Sequence, residues 1–206
     1  ENAGTGDINN RLEFLKKLQV VTNKIHATSN IDEIMLELSQ DICDLFNCDR
    51  LTIYALGEDK QSIVSRVKTG LNSFKDIKLP ISEHSVAGYV AATRKAANIS
   101  DVYDELELQS FSPNMQFLKE VDKRTGYRSK QMLVAPVLDA QNNDLLGVVQ
   151  LINNRLDTPF PALADEGVLS LAQTLAVAFT QRQKPRQLVR SKYDALVTEG
   201  IISADE

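Results

Sequence analysis

Residues 131–153 read QMLVAPVL, then DAQNND, then LLGVVQLIN. Two apolar runs, Gln131–Leu138 and Leu145–Asn153, flank the polar link Asp139-Ala140-Gln141-Asn142-Asn143-Asp144. Short apolar runs joined by Asn- and Asp-rich turn chemistry form a β-hairpin, which fixes antiparallel pairing. Gly147, inside the second run, marks a bulge or a close backbone approach. Upstream, Arg50–Leu56 and Ser62–Lys68 alternate apolar with polar residues across Gly57-Glu58-Asp59-Lys60, a second hairpin. Ile77–Ile81 and Ala97–Ile99 read as two further short strands. Strands joined mainly by hairpins give an antiparallel sheet.

Helical periods lie at both ends. Ile8, Leu12, Leu15, Leu18, Val21 and Ile25 form a narrow apolar stripe suited to packing on one partner. Asn30 and Glu33 make a capping-box-like start for a second helix, whose buried face carries Ile31, Ile34, Leu38, Ile42 and Leu45. Pro161 suits the first turn of a long helix running to about Gln183, with Val168, Leu171, Leu175 and Phe179 on one face. Pro185 punctuates it, and Leu188–Ile202 follows as a last amphipathic stretch. A short helix is expected over Val86–Arg94. Residues 100–128 are polar and long for a connection, the signature of a binding loop or lid, with helical turns near Tyr103–Leu106 and Met115–Val121. The expected fold is α+β: terminal helices cover one face of the sheet, and a loop and short-helix lid covers a pocket on the other.

Composition narrows the function. The 206 residues carry a formal net charge of −5, against a general nucleic-acid binder, and Lys184, Arg186, Arg190 and Lys192 make only a modest basic stretch. No run approaches the ~18 consecutive apolar residues of a membrane span, and no signal peptide is visible, so a cytoplasmic location is expected. Cys43 and Cys48 read as buried, reduced thiols, with neither a disulfide framework nor a zinc-ligand spacing. Of the two histidines, His26 lies on a polar helical face and His84 just before the short helix. No nucleophile–histidine–acid constellation or phosphate-loop motif occurs. The first residue, Glu1, and a helical-looking end lead to the expectation of a fragment of a longer protein.

Three places could hold a ligand. Ser85 can cap the helix beginning Val86-Ala87-Gly88, whose free amides sit at the positive end of its dipole, with little side chain to block an anion. A tightly packed helix start is the competing reading. Asp101 either bonds a ligand or caps the turn after it. In Thr125-Gly126-Tyr127-Arg128-Ser129, Thr125 offers a hydroxyl and Arg128 a planar fork, for a ligand or a structural salt bridge.

The segments Val86-Ala87-Gly88, Asn98-Ile99-Ser100-Asp101-Val102-Tyr103, Thr125–Ser129 and Gly147–Asn153 resemble, in order and spacing, the GAF domain family. The resemblance covers roughly residues 30–182 and looks closest to the domains of cyclic-nucleotide phosphodiesterases and some adenylyl cyclases. It implies a six-stranded antiparallel sheet, a ligand pocket on one face, and a homodimer through terminal helices. Residue by residue, it carries phosphate-ribose contacts to Val86 and Ala87, polar pocket positions to Asp101 and Thr125, and a ligand-facing strand position to Gln150.

At the position of an aromatic-acidic pair against the base, this chain has Val67-Lys68. Lys68 cannot accept hydrogen bonds from a purine, so either the ligand differs or none binds. The subclass signature after the last strand is met by Asn153, Phe160 and Asp165-Glu166, but Asn154 replaces its lysine, with Arg155 a candidate substitute in the salt bridge to Asp165. The bilin-binding and methionine-sulfoxide-reducing branches need cysteines, and none occurs from Asp49 to Glu206. The resemblance thus implies a regulatory, non-enzymatic module. Leu188–Glu206 looks like the opening of the N-terminal domain of type II secretion and type IV pilus assembly ATPases. The expected organisation is 1–29 linker helix, 30–183 sensor and 184–206 linker with the start of a helical domain. A small-molecule sensor controlling an ATPase or other effector, with a cyclic nucleotide the leading ligand class, competes with a ligand-free dimerisation scaffold.

Overall fold

The computed structural model describes residues 3–28, 37–69 and 76–198, with 182–198 as backbone alone. Asn30 and the other residues that begin the expected second helix lie outside the described residues. In chain order the elements are α1 (Ala3–Ala27), α2 (Ser39–Phe46), β1 (Cys48–Leu56), β2 (Ser62–Lys68), β3 (Lys78–Pro80) and α3 (Val86–Thr93). They continue with β4 (Ala97–Ile99), α4 (Glu105–Phe111), α5 (Glu120–Thr125), β5 (Met132–Leu138), β6 (Leu145–Asn154) and α6 (Ala162–Thr198).

The strands form one six-stranded sheet in the order β3-β2-β1-β6-β5-β4, every neighbouring pair antiparallel. The two hairpins expected from sequence meet at its centre, where β1 pairs with β6 from Cys48↔Asn154 to Ala55↔Gly147. Gly147 is a close-approach glycine: a Cβ there would fall onto the carbonyl oxygen of Tyr54. The period of two sends alternate residues to two separate cores. Leu51, Ile53, Leu133, Ala135, Val137, Val149 and Leu151 face α1, α2 and α6, while Tyr54, Met132, Val134, Val148 and Ile152 face α3 and the lid.

On the helical side, Val168, Leu171 and Leu175 of α6 are fully buried. Ala162–Gln181 is long and apolar enough by composition to cross a membrane, but its apolar face is this core. The stripe on α1 divides in two. Leu18, Val21 and Ile25 pack into the core, whereas Ile8, Leu12 and Leu15 are 61%, 50% and 40% exposed. The expected single packing face therefore serves only the C-terminal half of α1.

Two expectations are corrected. Pro185 does not end the last helix, which runs on to Thr198; a proline removes one amide donor and one bond from a 37-residue run without terminating it here. Arg155 does not replace the missing lysine, because its guanidinium is drawn to Asp44 at 2.9 Å and Asp49 at 3.9 Å. Asp165 is instead held by Asn98, whose amide donates to Asp165 Oδ1 at 3.0 Å and to the Phe160 carbonyl at 2.9 Å. Asn154 folds its side chain onto the following turn, donating to Thr158 and Pro159 and accepting from the Leu156 amide.

Candidate functional site

The site lies on the sheet face opposite the terminal helices, under the lid. β1 supplies Arg50, Thr52 and Tyr54, one side of an alternating strand, and β6 supplies Gln150 and Ile152. α3 contributes Val86 and Ala87, and the lid contributes Gln116, Phe117, Val121 and Asp122. These groups enclose a cavity of about 100 Å³.

The start of α3 is built as its sequence suggests. Ser85 is extended (φ −120°, ψ 161°), and its hydroxyl accepts from the Gly88 amide at 3.0 Å. That is an N-cap, and it spends the Gly88 amide on the helix itself. Val86 and Ala87, whose amides donate no hydrogen bond among the described residues, line the cavity at 3% and 1% exposure. Gly88 is a packing glycine: a Cβ would strike the carbonyl oxygens of Ser82 and Pro80. It lies behind the helix start and not on the cavity wall.

Of the other sequence candidates, Gln150 lies on the wall with the buried Tyr54. Burial pushes the Tyr54 phenol well up, and Gln150 offsets part of that. Lys68 stands directly across from Thr52, buried on the same sheet face, and pairs with Asp76 at 3.5 Å. It is not on the cavity wall. Thr125 closes α5, its hydroxyl donating to the Val121 carbonyl at 2.8 Å. Asp101 accepts from the Tyr103 amide at 2.9 Å and faces Arg128 at 3.4 Å, so it serves the turn. Arg128 lies 3.5 Å over the Tyr103 ring and also donates to the Ser129 carbonyl. The structure thus gathers Ser85, Val86, Ala87 and Gln150 at one cavity, and places Gly88, Asp101, Thr125, Arg128 and Lys68 in the frame around it.

That frame ties the lid down. Asp122, 7% exposed, accepts from the Tyr103 hydroxyl at 2.8 Å and from the Ser129 amide and hydroxyl at 2.8 and 2.9 Å. Burial first, then Asp122, raises the Tyr103 phenol. Ser112 donates to Glu83 at 3.1 Å, and the Gln116 amide donates to the His84 carbonyl at 2.9 Å. Asn153, in a left-handed backbone (φ 60°), accepts from the Lys130 amide and donates to the Arg128 carbonyl and the Tyr127 hydroxyl. The signature asparagine therefore fixes the Tyr127–Lys130 entry into β5.

The most consequential wall residue missed by sequence reading is Arg50. Its guanidinium stacks 3.5 Å over the Tyr127 ring, and among the described residues it has no ion-pair partner. Burial and Asp49 push the Tyr127 phenol up, while Arg50 acts in the opposite sense. The signal was present in the alternation Arg50–Thr52–Tyr54, opposite in phase to Leu51–Ile53. A cation, two free helix-start amides, neutral hydrogen-bonding groups and apolar walls can together hold a ring that bears an anionic group. The chain's two cysteines, Cys43 and Cys48, lie buried in the core on the other face of the sheet. His84 is exposed beside Ser82, and His26 is exposed on α1.

A helix-backed antiparallel sheet with a lidded cavity on its free face defines a small-molecule-sensing regulatory domain. The chain belongs to the GAF domain family, whose model matches residues 30–181. It is 23% identical over 92% of its length to a probable 3',5'-cyclic phosphodiesterase, pde-5, of Caenorhabditis elegans. It is 27% identical over 79% of its length to the dual 3',5'-cyclic-AMP and -GMP phosphodiesterase 11A of Takifugu rubripes. It spans only 26% and 18% of those two proteins. Among solved structures, the GAF domain of a phosphoenolpyruvate-protein phosphotransferase from Coxiella burnetii superposes with a TM-score of 0.70 at 17% identity, over 86% of this chain and 99% of that one.

Proposed function

We propose that this chain is the sensor module of a larger regulatory protein and that its cavity takes a cyclic nucleotide. The observation that carries this reading is the helix start at Ser85–Ala87, with two unbonded amides on residues that line a cavity also lined by Arg50, Thr52 and Gln150. The phosphate meets the amides, and the base lies between the sheet and the lid. The phosphodiesterase relatives support the ligand class. In this reading 1–29 is a linker helix, 30–183 the sensor, and 184–206 a linker with the start of the effector. The likeness of Leu188–Glu206 to secretion and pilus ATPases makes such a motor the effector of choice. Exposed Ile8, Leu12 and Leu15 on α1, with Leu169 and Val177 on α6, favour a homodimer through the terminal helices.

A thermal-shift series with cyclic AMP, cyclic GMP, AMP and GMP tests the ligand, followed by calorimetry. At a hundredfold its dissociation constant, a ligand adds about 2.7 kcal/mol to stability. Ala87→Phe abolishes the shift by filling the approach to the helix start. A second reading, a ligand-free scaffold, is favoured by buried Lys68 where a purine-binding acid is expected and by the small cavity. No shift with any of the four nucleotides establishes that second reading over the first.

A further inference from the structure

The lid borders a second cavity besides the one at the sheet. This second cavity, of about 320 Å³, lies on the outer side between α4 and the segment that follows it, bordered by Tyr103, Glu105, Gln109 and Lys119. Among the described residues, only Gln116 and Phe117 border both cavities. The inner cavity alone falls short of the roughly 300 Å³ at which small-molecule sites begin, and joining it to the outer one would lift the sheet-side site above that size.

The dividing wall is held unevenly. On one side of it, the Gln116 amide is pinned to the His84 carbonyl at 2.9 Å. Beyond that anchor, the amides of Phe117, Leu118 and Lys119 donate no hydrogen bond among the described residues, and Leu118 is 53% exposed. Such a stretch belongs to the low-stability end of a fold. Phe117 rests on Tyr103 through a tilted ring contact with centroids 5.4 Å apart. Tyr103 itself is fixed twice, by its hydrogen bond to Asp122 and by Arg128 over its ring. The wall thus has a fixed backstop and a movable ring.

We propose that Phe117 is a gate whose swing about the Gln116 anchor joins the two cavities into one ligand site. The joined site takes an elongated ligand, its ring against the sheet and a polar end reaching Glu105, Gln109 and Lys119. This rests on the reading that the inner cavity binds a ligand, but the gate is testable without that ligand.

The probe is 1-anilinonaphthalene-8-sulfonate, a ring system too large for the inner cavity, titrated against the whole chain by fluorescence. Phe117→Ala binds it several-fold more tightly than the wild type, and Phe117→Leu, which keeps more of the packing, gives a smaller gain in the same direction. Val121 borders only the inner cavity and Gln109 only the outer. Adding either Val121→Trp or Gln109→Trp to Phe117→Ala abolishes the gain, with folding of each variant checked by circular dichroism. No gain in both Phe117 variants, or a gain abolished by only one of the two blocks, overturns the gate. A full set of dye results with no nucleotide shift leaves the gate standing and removes the nucleotide; a nucleotide shift without the dye gain does the reverse.

Discussion

Tyr54 lies on the cavity wall with Gln150 and is 3% exposed. Burial holds its proton in the folded state well past the unfolded-state value of about 10. A folded pKa raised in this way leaves stability intact below that unfolded value. Stability then falls as pH rises toward the folded value, because only the unfolded chain releases the proton. Urea midpoints should therefore be flat from neutrality to about pH 10 and decline above it. Tyr54→Phe costs at most about 1 kcal/mol at pH 7 through the lost hydroxyl, and the deficit narrows at higher pH because one source of the alkaline slope is gone. The residual slope belongs to Tyr127, raised likewise by burial and Asp49, and to Tyr103, raised by burial and Asp122. A variant as alkali-sensitive as the wild type would contradict this account.

At the scale of elements, β4 is three residues long at the sheet edge, yet it is anchored across the molecule by Asn98. That side chain ties the edge strand to the first turns of α6 through the Phe160 carbonyl and Asp165. Asn98→Ala strands two part-buried acceptors and should cost about 1–3 kcal/mol in urea denaturation. Asp165→Asn keeps an acceptor oxygen and should cost clearly less; equal losses would mean that charge, not the hydrogen bond, matters. This anchor was not legible in the sequence, because Asn98 and Asp165 are 67 positions apart and a different pair, Arg155 with Asp165, fitted the expected ion pair. The strands were legible, since period and turn chemistry are local: β2 and β4 match the reading residue for residue. The lid helices were misplaced toward the N-terminal side, at 103–106 and 115–121 against Glu105–Phe111 and Glu120–Thr125, because short helices take their limits from caps and tertiary partners such as Asp104 and Asp122. The site was half legible for the same reason. Ser85–Ala87 announces itself through an N-cap, whereas Arg50 becomes a cavity residue only when Tyr127 is folded beneath it.

For the whole molecule, the two faces of the sheet have different tasks. The lid face encloses the cavities, and the helical face carries α1 and α6, which contain both ends of the described chain. Ile8, Leu12 and Leu15 are spaced on α1 as one face of a helix, and all three are substantially exposed. Residues three and four apart on a helix form a continuous ridge, and a twofold dimer uses the same ridge on both copies. Fully burying a side chain of this size contributes about 1.5–3 kcal/mol, so losing two per protomer weakens a symmetric dimer by several powers of ten. The double variant Leu12→Glu/Leu15→Glu should therefore sediment as a monomer at concentrations where the wild type is a dimer. Its core contacts at Leu18, Val21 and Ile25 are untouched, so circular dichroism should report a folded chain. A wild type that is already monomeric at micromolar concentration would remove the ridge from the dimer and leave signal output to α6, which runs from the core at Val168 on to Thr198.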